Sequence, residues 1–512
     1  WGVDDDKGHG TQMAGVATFG DLLKAIEQNN NVVLSHVLES VKILPPNGES
    51  EPDLYGFITK QAISLSEIKR PNWNRIICMA VSVDTVFDQG RPTSYSGAID
   101  TLCSGAEDGK MRLIILSSGN ISSALWSAYP DSNLTTSVET PSQSWNALTV
   151  GAYTEKTNIQ EAGLEDYNAL APLGGLSPFS ATSRTWEDTK WPFKPDIVLE
   201  GGNAAINPED NFTTECDDLS VLTTYYKPSD RQFDAFRMSS AATAKAAWMA
   251  AKIQSMYPDA WPETIRALLV HSARWTNVMK DQFAVDGSDK ANYRHLLRIC
   301  GYGVPDLDKA LFSMSNLLTL VTQSEIQPFH KAKGRSNVSA KDMHFYELPW
   351  PKEALLSLGE TEVTLRVPLS YYVEPGPGEI GWKDRYRYRS HGLKFGLNRP
   401  DESEEEFRQR VNAAVDGAEG VKGSGLNWEI GSKTRNLGSI HSDFVKMTAV
   451  ELAASKFVGV FPIIGWWKER THLKKYNNTA RYSLIVSIET PSEDVDIHIP
   501  VATKLEIPIR VF

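Results

Sequence analysis

Cysteine is scarce in this chain, which contains four cysteines in 512 residues. They lie far apart in the sequence, at Cys78, Cys103, Cys216 and Cys300. This spacing excludes metal sites built on closely spaced pairs such as C-x-x-C. We interpret the four residues as reduced, partly buried thiols, which are typical of a cytoplasmic protein; two disulfides in a secreted protein are the alternative.

Long apolar runs are also lacking. The most apolar window extends from Phe457 to Trp467 and is interrupted by two glycines and a proline. A membrane-spanning helix needs about 20 consecutive apolar residues. The window is therefore predicted to be a core strand followed by a turn, and no membrane association is expected.

Basic residues are fewer than acidic ones, 52 against 64, which gives a net charge of -12 and an isoelectric point near 5.4. Because phosphate binding needs a basic surface, this charge excludes nucleic acid as the main partner. A hydrophobic content of 41% with 23% charged residues is typical of a globular protein. The length predicts about two to four domains.

In the first 200 residues, strand-like and helix-like segments alternate. Strands are predicted at Val32–Leu44, Arg75–Val83, Met111–Leu116 and Trp145–Ala152, and helices at Leu54–Ile68 and Ser96–Glu107. Continuous apolar strands that alternate with helices predict an α/β fold, a parallel sheet covered by helices on both faces. Ligands bind such sheets at the carboxyl ends of the strands.

Beyond residue 320, polar and apolar residues alternate with period two, and proline and glycine separate the runs. Strands are predicted at Glu362–Val367, Tyr386–Leu397, Arg481–Glu489, Asp494–Val501 and Leu505–Phe512. This pattern predicts an antiparallel, sandwich-like all-β domain. We place the α/β domain at residues 1–318 and the β-rich domain at 319–512.

One helix is predicted within this β-rich region. Ser403 and Glu406 have the spacing of a capping box, which marks a helix start. Phe407, Val411 and Val415 then fall on one face, which we expect to be buried. The acidic run before it is interpreted as a solvated first turn.

Three short motifs stand at the ends of predicted elements of the first domain. His9 lies in Gly-His-Gly-Thr before a run of small residues, Asn120 ends a buried strand, and Ser240 opens an alanine-rich helix. Each has a structural explanation: a fold histidine, a Gly-Asn turn and a helix cap. Together they supply a general base, an oxyanion donor and a nucleophile, the groups that acyl transfer requires.

These motifs, in this chain order, resemble those of the subtilases, the subtilisin-like serine peptidases. The resemblance covers residues 1 to about 315 and includes the Lys194-Pro195-Asp196 strand and the Gly-x-Gly turn at 301–303. It implies a serine endopeptidase with His9 as base, Asn120 in the oxyanion hole and Ser240 as nucleophile. It implies no required cofactor; a structural calcium ion is compatible with the family, but no site for one can be placed.

The sequence departs from the family pattern at two points. Met238 stands where the family has glycine, a residue that tolerates backbone angles methionine disfavours. The family's triad aspartate lies on a strand well before the histidine, and only the acids Asp4, Asp5 and Asp6 precede His9 here. We interpret these as loop acids beside the cleft, or alternatively as a cation site, and expect the triad aspartate upstream of this chain.

The resemblance also implies where a peptide substrate lies. Subtilases bind peptide as an added strand, and the corresponding contacts here are Ala80, Val81, Ser82 and Gly119. The match in this segment is loose, so the cleavage specificity is left unassigned.

The sequence around His9 and the β-rich C-terminal domain resemble bacterial subtilases found beside an AAA-type ATPase. That likeness implies a possible ATPase partner and a cytoplasmic location.

Two other functions fit parts of the sequence. Met238 and the missing aspartate are consistent with a catalytically degenerate subtilase scaffold that acts as a binding or regulatory protein. A different serine hydrolase is the third reading, but no Gly-x-Ser-x-Gly elbow surrounds Ser240.

Overall fold

The computed structural model of the chain describes residues 4–27, 32–45, 47–48, 50–83, 88–186, 191–312, 319–335, 337–348, 350, 352–376, 387–415, 426–490 and 509–510. The chain divides into two compact units. The first consists of residues 1–260 and 272–307, and the second of residues 261–271 and 308–512.

The described helices of residues 4–312 are α1 (His9–Phe19), α2 (Leu22–Glu27), α3 (Tyr55–Lys69), α4 (Ser94–Ser104), α5 (Asp131–Thr135), α6 (Met238–Met256), α7 (Pro262–Ser272), α8 (Asn277–Gln282), α9 (Asp289–Cys300) and α10 (Leu307–Phe312). The strands are β1 (Ile76–Met79), β2 (Leu113–Ser117), β3 (Leu148–Tyr153), β4 (Asn168–Ala169), β5 (Ile197–Glu200), β6 (Ala204–Ile206), β7 (Thr213–Glu215), β8 (Val221–Thr224) and β9 (Phe233–Phe236).

A four-stranded parallel sheet in the order β1-β2-β3-β5 forms the centre of the first unit. Every residue of β2, β3 and β5 is buried, as expected for strands covered on both faces. Helix α6 packs against all four strands with small side chains, among them Ala242, Ala246 and Ala250. The predicted parallel α/β sheet is confirmed.

The Lys-Pro-Asp motif joins two strands of this sheet. The ammonium group of Lys194 donates hydrogen bonds to the carboxylate of Asp196 at 2.7 Å and to the carbonyl of Ala147 at 3.0 Å. The same carboxylate accepts the backbone N–H of Thr149 at 2.7 Å. Both charged side chains are buried, and breaking such a pair by removing one partner costs about 3–5 kcal/mol.

The strand predicted at Val32–Leu44 is wrong. Residues 32–44 form neither strand nor helix. Val33 is 78% exposed and Val37 is 68% exposed. A strand is stable when its backbone groups pair with a neighbour, and no described strand pairs with this segment.

None of the four cysteines forms a disulfide in the structure, in agreement with their interpretation as thiols. Burial raises the pKa of the Cys78 thiol to about 12 and that of Cys216 to about 11. Among the described helices, none has both the length and the apolar character needed to cross a membrane.

The second unit contains the helices α11 (Lys352–Ser357), α12 (Glu404–Val415), α13 (Ser432–Arg435), α14 (Ala449–Ala454) and α15 (Trp466–Glu469). Its strands are β10 (Thr319–Ile326), β11 (Phe329–His330), β12 (Ser339–Ala340), β13 (His344–Glu347), β14 (Glu362–Tyr371), β15 (Gly392–Leu397), β16 (Ile440–Thr448), β17 (Phe457–Ile463), β18 (Ala480–Glu489) and β19 (Ile509–Arg510).

Two antiparallel four-stranded sheets, β10-β18-β14-β16 and β15-β17-β13-β19, organise this unit. The predicted β-rich C-terminal region is confirmed. The strand predicted at Asp494–Val501 lies outside the described residues, as does Tyr386. Of the strand predicted at Leu505–Phe512, only Ile509–Arg510 is described.

The predicted capping box begins α12. The carboxylate of Glu406 accepts the N–H of Ser403 at 2.9 Å, and the Ser403 hydroxyl accepts the N–H of Glu406 at 3.3 Å. Phe407 and Val411 are buried against Phe345 of β13. The helix thus covers the second sheet with the face that the sequence predicted.

Helix α7 packs with the strands of the second unit. The buried guanidinium of Arg266 donates to the carbonyls of Tyr371 at 2.7 Å and Ser439 at 2.8 Å. His271, interpreted as structural, is buried and shares a 2.6 Å hydrogen bond with Ser487. The domain predicted at residues 1–318 includes α7, whereas residues 261–271 group with the second unit.

We therefore predict that residues 1–318 expressed alone are insoluble, because α7 would expose buried side chains such as Ile265 and Leu269. The matched comparison is residues 1–318 with Ile265 and Leu269 both replaced by serine, since it keeps every element of the first unit and lacks these two apolar side chains. The soluble fraction of each, against the full chain, is the measurement. A soluble, monomeric 1–318 protein would show that α7 does not need the strands of the second unit.

Candidate active site

His9 is the first residue of α1 and follows Gly8, whose φ of +87° is a conformation that favours glycine. The carboxylate of Asp5 accepts hydrogen bonds from backbone N–H groups at the start of this helix. It accepts the backbone N–H groups of Gly8 at 2.8 Å and Thr11 at 2.7 Å, together with the Thr11 hydroxyl at 2.8 Å. Asp5 is thus a capping residue that fixes the backbone around His9.

The β8–β9 hairpin holds α1 in place. Hydroxyl groups of Thr223 and Thr224 donate to the carbonyls of Gln12 at 2.7 Å and Thr11 at 2.9 Å. At Gly15 the helix comes so close to the hairpin that an added Cβ would lie 2.3 Å from the Thr223 hydroxyl. Gly15 is therefore required for the close packing of α1 against the hairpin.

The same packing brings His9 towards the start of α6. The His9 ring lies edge-on to the ring of Phe236, with centroids 5.6 Å apart. Phe236 ends β9, four residues before Ser240. Val16 of α1 packs in one cluster with Ala241 and Ala244 of α6, so helices α1 and α6 meet near the residues that carry the two motifs.

Asn120 is attached directly to the start of α6. Its side-chain oxygen accepts the backbone N–H of Ser239 at 3.0 Å and the Ser239 hydroxyl at 2.6 Å. Because the oxygen faces Ser239, the amide N–H₂ group of Asn120 points the opposite way. The two N–H donors of the amide form no hydrogen bond within the described part of the chain.

The two neighbouring serines differ in their surroundings. Ser239 is fully buried and its hydroxyl is bonded to Asn120. Ser240 is 6% exposed, and within the described part of the chain its hydroxyl has no hydrogen bond. Of the two, Ser240 is therefore the serine whose hydroxyl is not already engaged by Asn120.

Met238 holds a left-handed backbone conformation, which favours glycine. Its φ is +72°, and its N–H donates to the carbonyl of Gly201 at 2.6 Å. A left-handed conformation costs a non-glycine residue about 1–2 kcal/mol. The methionine side chain packs against the buried cluster of Ile121, Trp126 and Phe179, which offsets part of that cost.

The acids that precede His9 do not form a triad. Asp5 forms no hydrogen bond with His9, and the carboxylate of Asp6 pairs with Lys42 at 2.5 Å. Burial alone would raise the pKa of Asp5, but hydrogen bonds from Thr11, Gly8 and Lys7 hold it below its usual value. Among the described residues, no three His, Cys, Asp or Glu side chains could hold a metal ion.

Ala80, Val81 and Ser82 follow the carboxyl end of β1 and are partly buried. Val83 and Thr140 exchange backbone hydrogen bonds of 2.8 and 3.2 Å, and the Ser82 hydroxyl donates to the carboxylate of Glu139. Gly119 has a φ of +99° and lies against the same carboxylate. Two of the four predicted substrate residues, Ser82 and Gly119, thus lie against Glu139, which the sequence analysis did not single out because no motif marks it.

Residues 2–303 match the model of the subtilase family. The chain belongs to the subtilase family. The uncharacterized protein y4bN of Sinorhizobium fredii is 26% identical over 370 residues, which cover 69% of this chain and 79% of that protein.

Two solved structures are also similar. One is the S41 psychrophilic protease, with 21% identity, 59% of this chain and 78% of that chain covered, and a TM-score of 0.38. The other is sphericase, with 20% identity, 53% and 70% coverage, and a TM-score of 0.34.

We predict that His9 titrates below the ordinary value of 6.5. Desolvation lowers its pKa, and the negative charge of Asp5 raises it by less. Replacing Asp5 with Asn should therefore lower the His9 pKa further, and Asp4→Asn is the control. Histidine NMR titration is the measurement; a pKa above 6.5, or a rise in Asp5→Asn, would contradict the prediction.

Because the folded pKa is lowered, His9 should also destabilise the fold as the pH falls through 6.5.

Proposed function

We propose that this subtilase is a serine endopeptidase that hydrolyses peptide bonds in protein or peptide substrates through an acyl-enzyme. The observation that carries the proposal is the Asn120–Ser239 contact. It holds the Asn120 side chain at the start of α6, one residue before Ser240, and the helix of His9 packs against α6.

In the proposed mechanism, the hydroxyl of Ser240 attacks the substrate carbonyl carbon while His9 removes its proton. The tetrahedral oxyanion accepts hydrogen bonds from the Asn120 amide and the Ser240 backbone N–H. The N-terminus of α6 adds a favourable dipole for that negative charge. His9 then protonates the leaving amine, and water hydrolyses the acyl-enzyme by the same steps.

The third triad member stays a prediction. Asp5 is a poor candidate, because its two oxygens already accept four hydrogen bonds from Lys7, Gly8 and Thr11. No described carboxylate bonds to His9, and this observation favours the second candidate function, a degenerate scaffold that binds without catalysis. The AAA-type ATPase partner and the cytoplasmic location likewise stay predictions.

Covalent labelling of the full chain with a fluorophosphonate probe separates the two functions. We expect labelling at Ser240, loss of labelling in Ser240→Ala, and retention in Ser239→Ala, since Ser239 is bonded to Asn120. Labelling mapped to Ser239, or surviving in Ser240→Ala, would overturn the nucleophile assignment. Absence of labelling from a folded chain would favour the binding scaffold.

Replacing Asn120 tests the oxyanion role. Asn120→Ala should lower kcat by about 10²–10³ with KM little changed, the loss typical of removing one oxyanion donor. Ser239→Ala is the matched variant: it removes one hydrogen bond that orients Asn120 and should lower kcat by only about 2- to 10-fold. A raised KM at unchanged kcat in Asn120→Ala would indicate a binding or turn role instead.

A further inference from the structure

An acidic side chain lies beside the proposed oxyanion site. Glu139 follows Val138 on the segment that leads into β3, and its N–H donates to the carbonyl of Ser118 at 3.1 Å. Ser118 directly follows β2, the strand that leads to Asn120. Glu139 is thus placed at the carboxyl ends of the parallel strands, where ligands bind.

The carboxylate of Glu139 lies between the two segments predicted to contact substrate. On one side it accepts the hydroxyl of Ser82. On the other it lies against Gly119, where an added Cβ would be 2.6 Å from the carboxyl carbon. Residue 119 is therefore glycine for two reasons, its positive φ and the lack of room for a Cβ. The carboxylate of Glu139 occupies that room, beside the residue that precedes Asn120.

The position of this charge determines which substrate residue it meets. The scissile carbonyl belongs to P1, the substrate residue on the acyl side of the cleaved bond. When its oxygen accepts a hydrogen bond from Asn120, P1 therefore lies next to Asn120. Gly119 and Asn120 are consecutive, so their Cα atoms are about 3.8 Å apart. The carboxylate of Glu139 lies against Gly119 and is therefore within reach of a long P1 side chain. A carboxylate accepts about four hydrogen bonds, so the Ser82 hydroxyl and a substrate cation can share it.

We propose that Glu139 is a specificity-determining residue that makes this enzyme cleave after lysine or arginine. The inference rests on the proposed peptidase function and names its substrate class. A partly buried carboxylate binds an ammonium or guanidinium group by a charge-assisted hydrogen bond. It disfavours an acidic P1 side chain, because like charges repel at short range.

Peptide binding tests this without requiring turnover. Two labelled peptide amides that differ only in the last residue, lysine or norleucine, compare side chains of similar length with and without the charge. We expect the full chain to bind the lysine peptide about 10- to 100-fold more tightly, the range for a hydrogen bond to a charged group. Glu139→Gln should reduce this preference to about twofold or less, and Glu139→Lys should favour a glutamate peptide.

Two controls keep the result specific. Glu209→Gln removes the same charge from an exposed turn of the first unit and should retain the preference. In the unsubstituted chain, raising the salt concentration should weaken the preference for lysine, since screening acts on the charge alone. Salt dependence shows that the preference is electrostatic, and the conservative Glu139→Asp variant, which keeps the charge on a shorter side chain and should retain a weakened preference for lysine, assigns it to residue 139 if Glu139→Gln fails to fold.

Equal binding of the two peptides by the unsubstituted chain, an unchanged preference in Glu139→Gln, or no binding of either peptide would overturn the inference. Fluorophosphonate labelling does not depend on P1 and reports on the proposed function separately. A chain that labels at Ser240 but ignores lysine overturns the role of Glu139 alone. A chain that prefers lysine but never labels overturns the peptidase function alone.

Discussion

The paired hydrogen bonds from Ser239 to Asn120 are the constraint on which the candidate site depends. They join the carboxyl end of a central strand to the first turn of α6, across 119 residues of sequence. An amide that is held through its oxygen can present only its N–H₂ group to a ligand. The fold thereby fixes the orientation of the donor before any substrate binds, which is the condition for electrostatic preorganisation.

Close backbone approach makes that constraint attainable. Gly15 lets α1 lie against the β8–β9 hairpin, and Gly201 leaves room for the carbonyl of Met238, which a Cβ at residue 201 would approach to 2.8 Å. Alanines along α6 let the helix lie close to the sheet. Met238 is the exception, because it holds a left-handed backbone without being glycine. Its conformation is stabilised by a short hydrogen bond to Gly201 and by packing on Trp126.

The sequence predicted the parts of this structure that local patterns encode. Apolar runs indicated the parallel strands, Ser403 and Glu406 indicated the start of α12, and the motifs indicated His9, Asn120 and Ser240. Local sequence patterns do not predict contacts between distant segments. Residues 32–44 alternate like a strand but have no described partner, and α7 groups with residues that follow it by a hundred positions or more. Glu139 has no motif, and its contacts with Ser82 and Gly119 exist only once three segments meet.

The relation between Asp5 and His9 shows how proximity differs from catalytic coupling. Asp5 is near enough for its charge to raise the pKa of His9, yet its oxygens face the N–H groups of Gly8 and Thr11. A triad carboxylate acts by accepting the imidazole N–H, which fixes the tautomer as well as stabilising the cation. A charge that acts only through space stabilises the cation and leaves the tautomer undetermined. If Asp5 served as the triad acid, it would have to give up the hydrogen bonds that hold the start of α1, and with them the position of His9 itself.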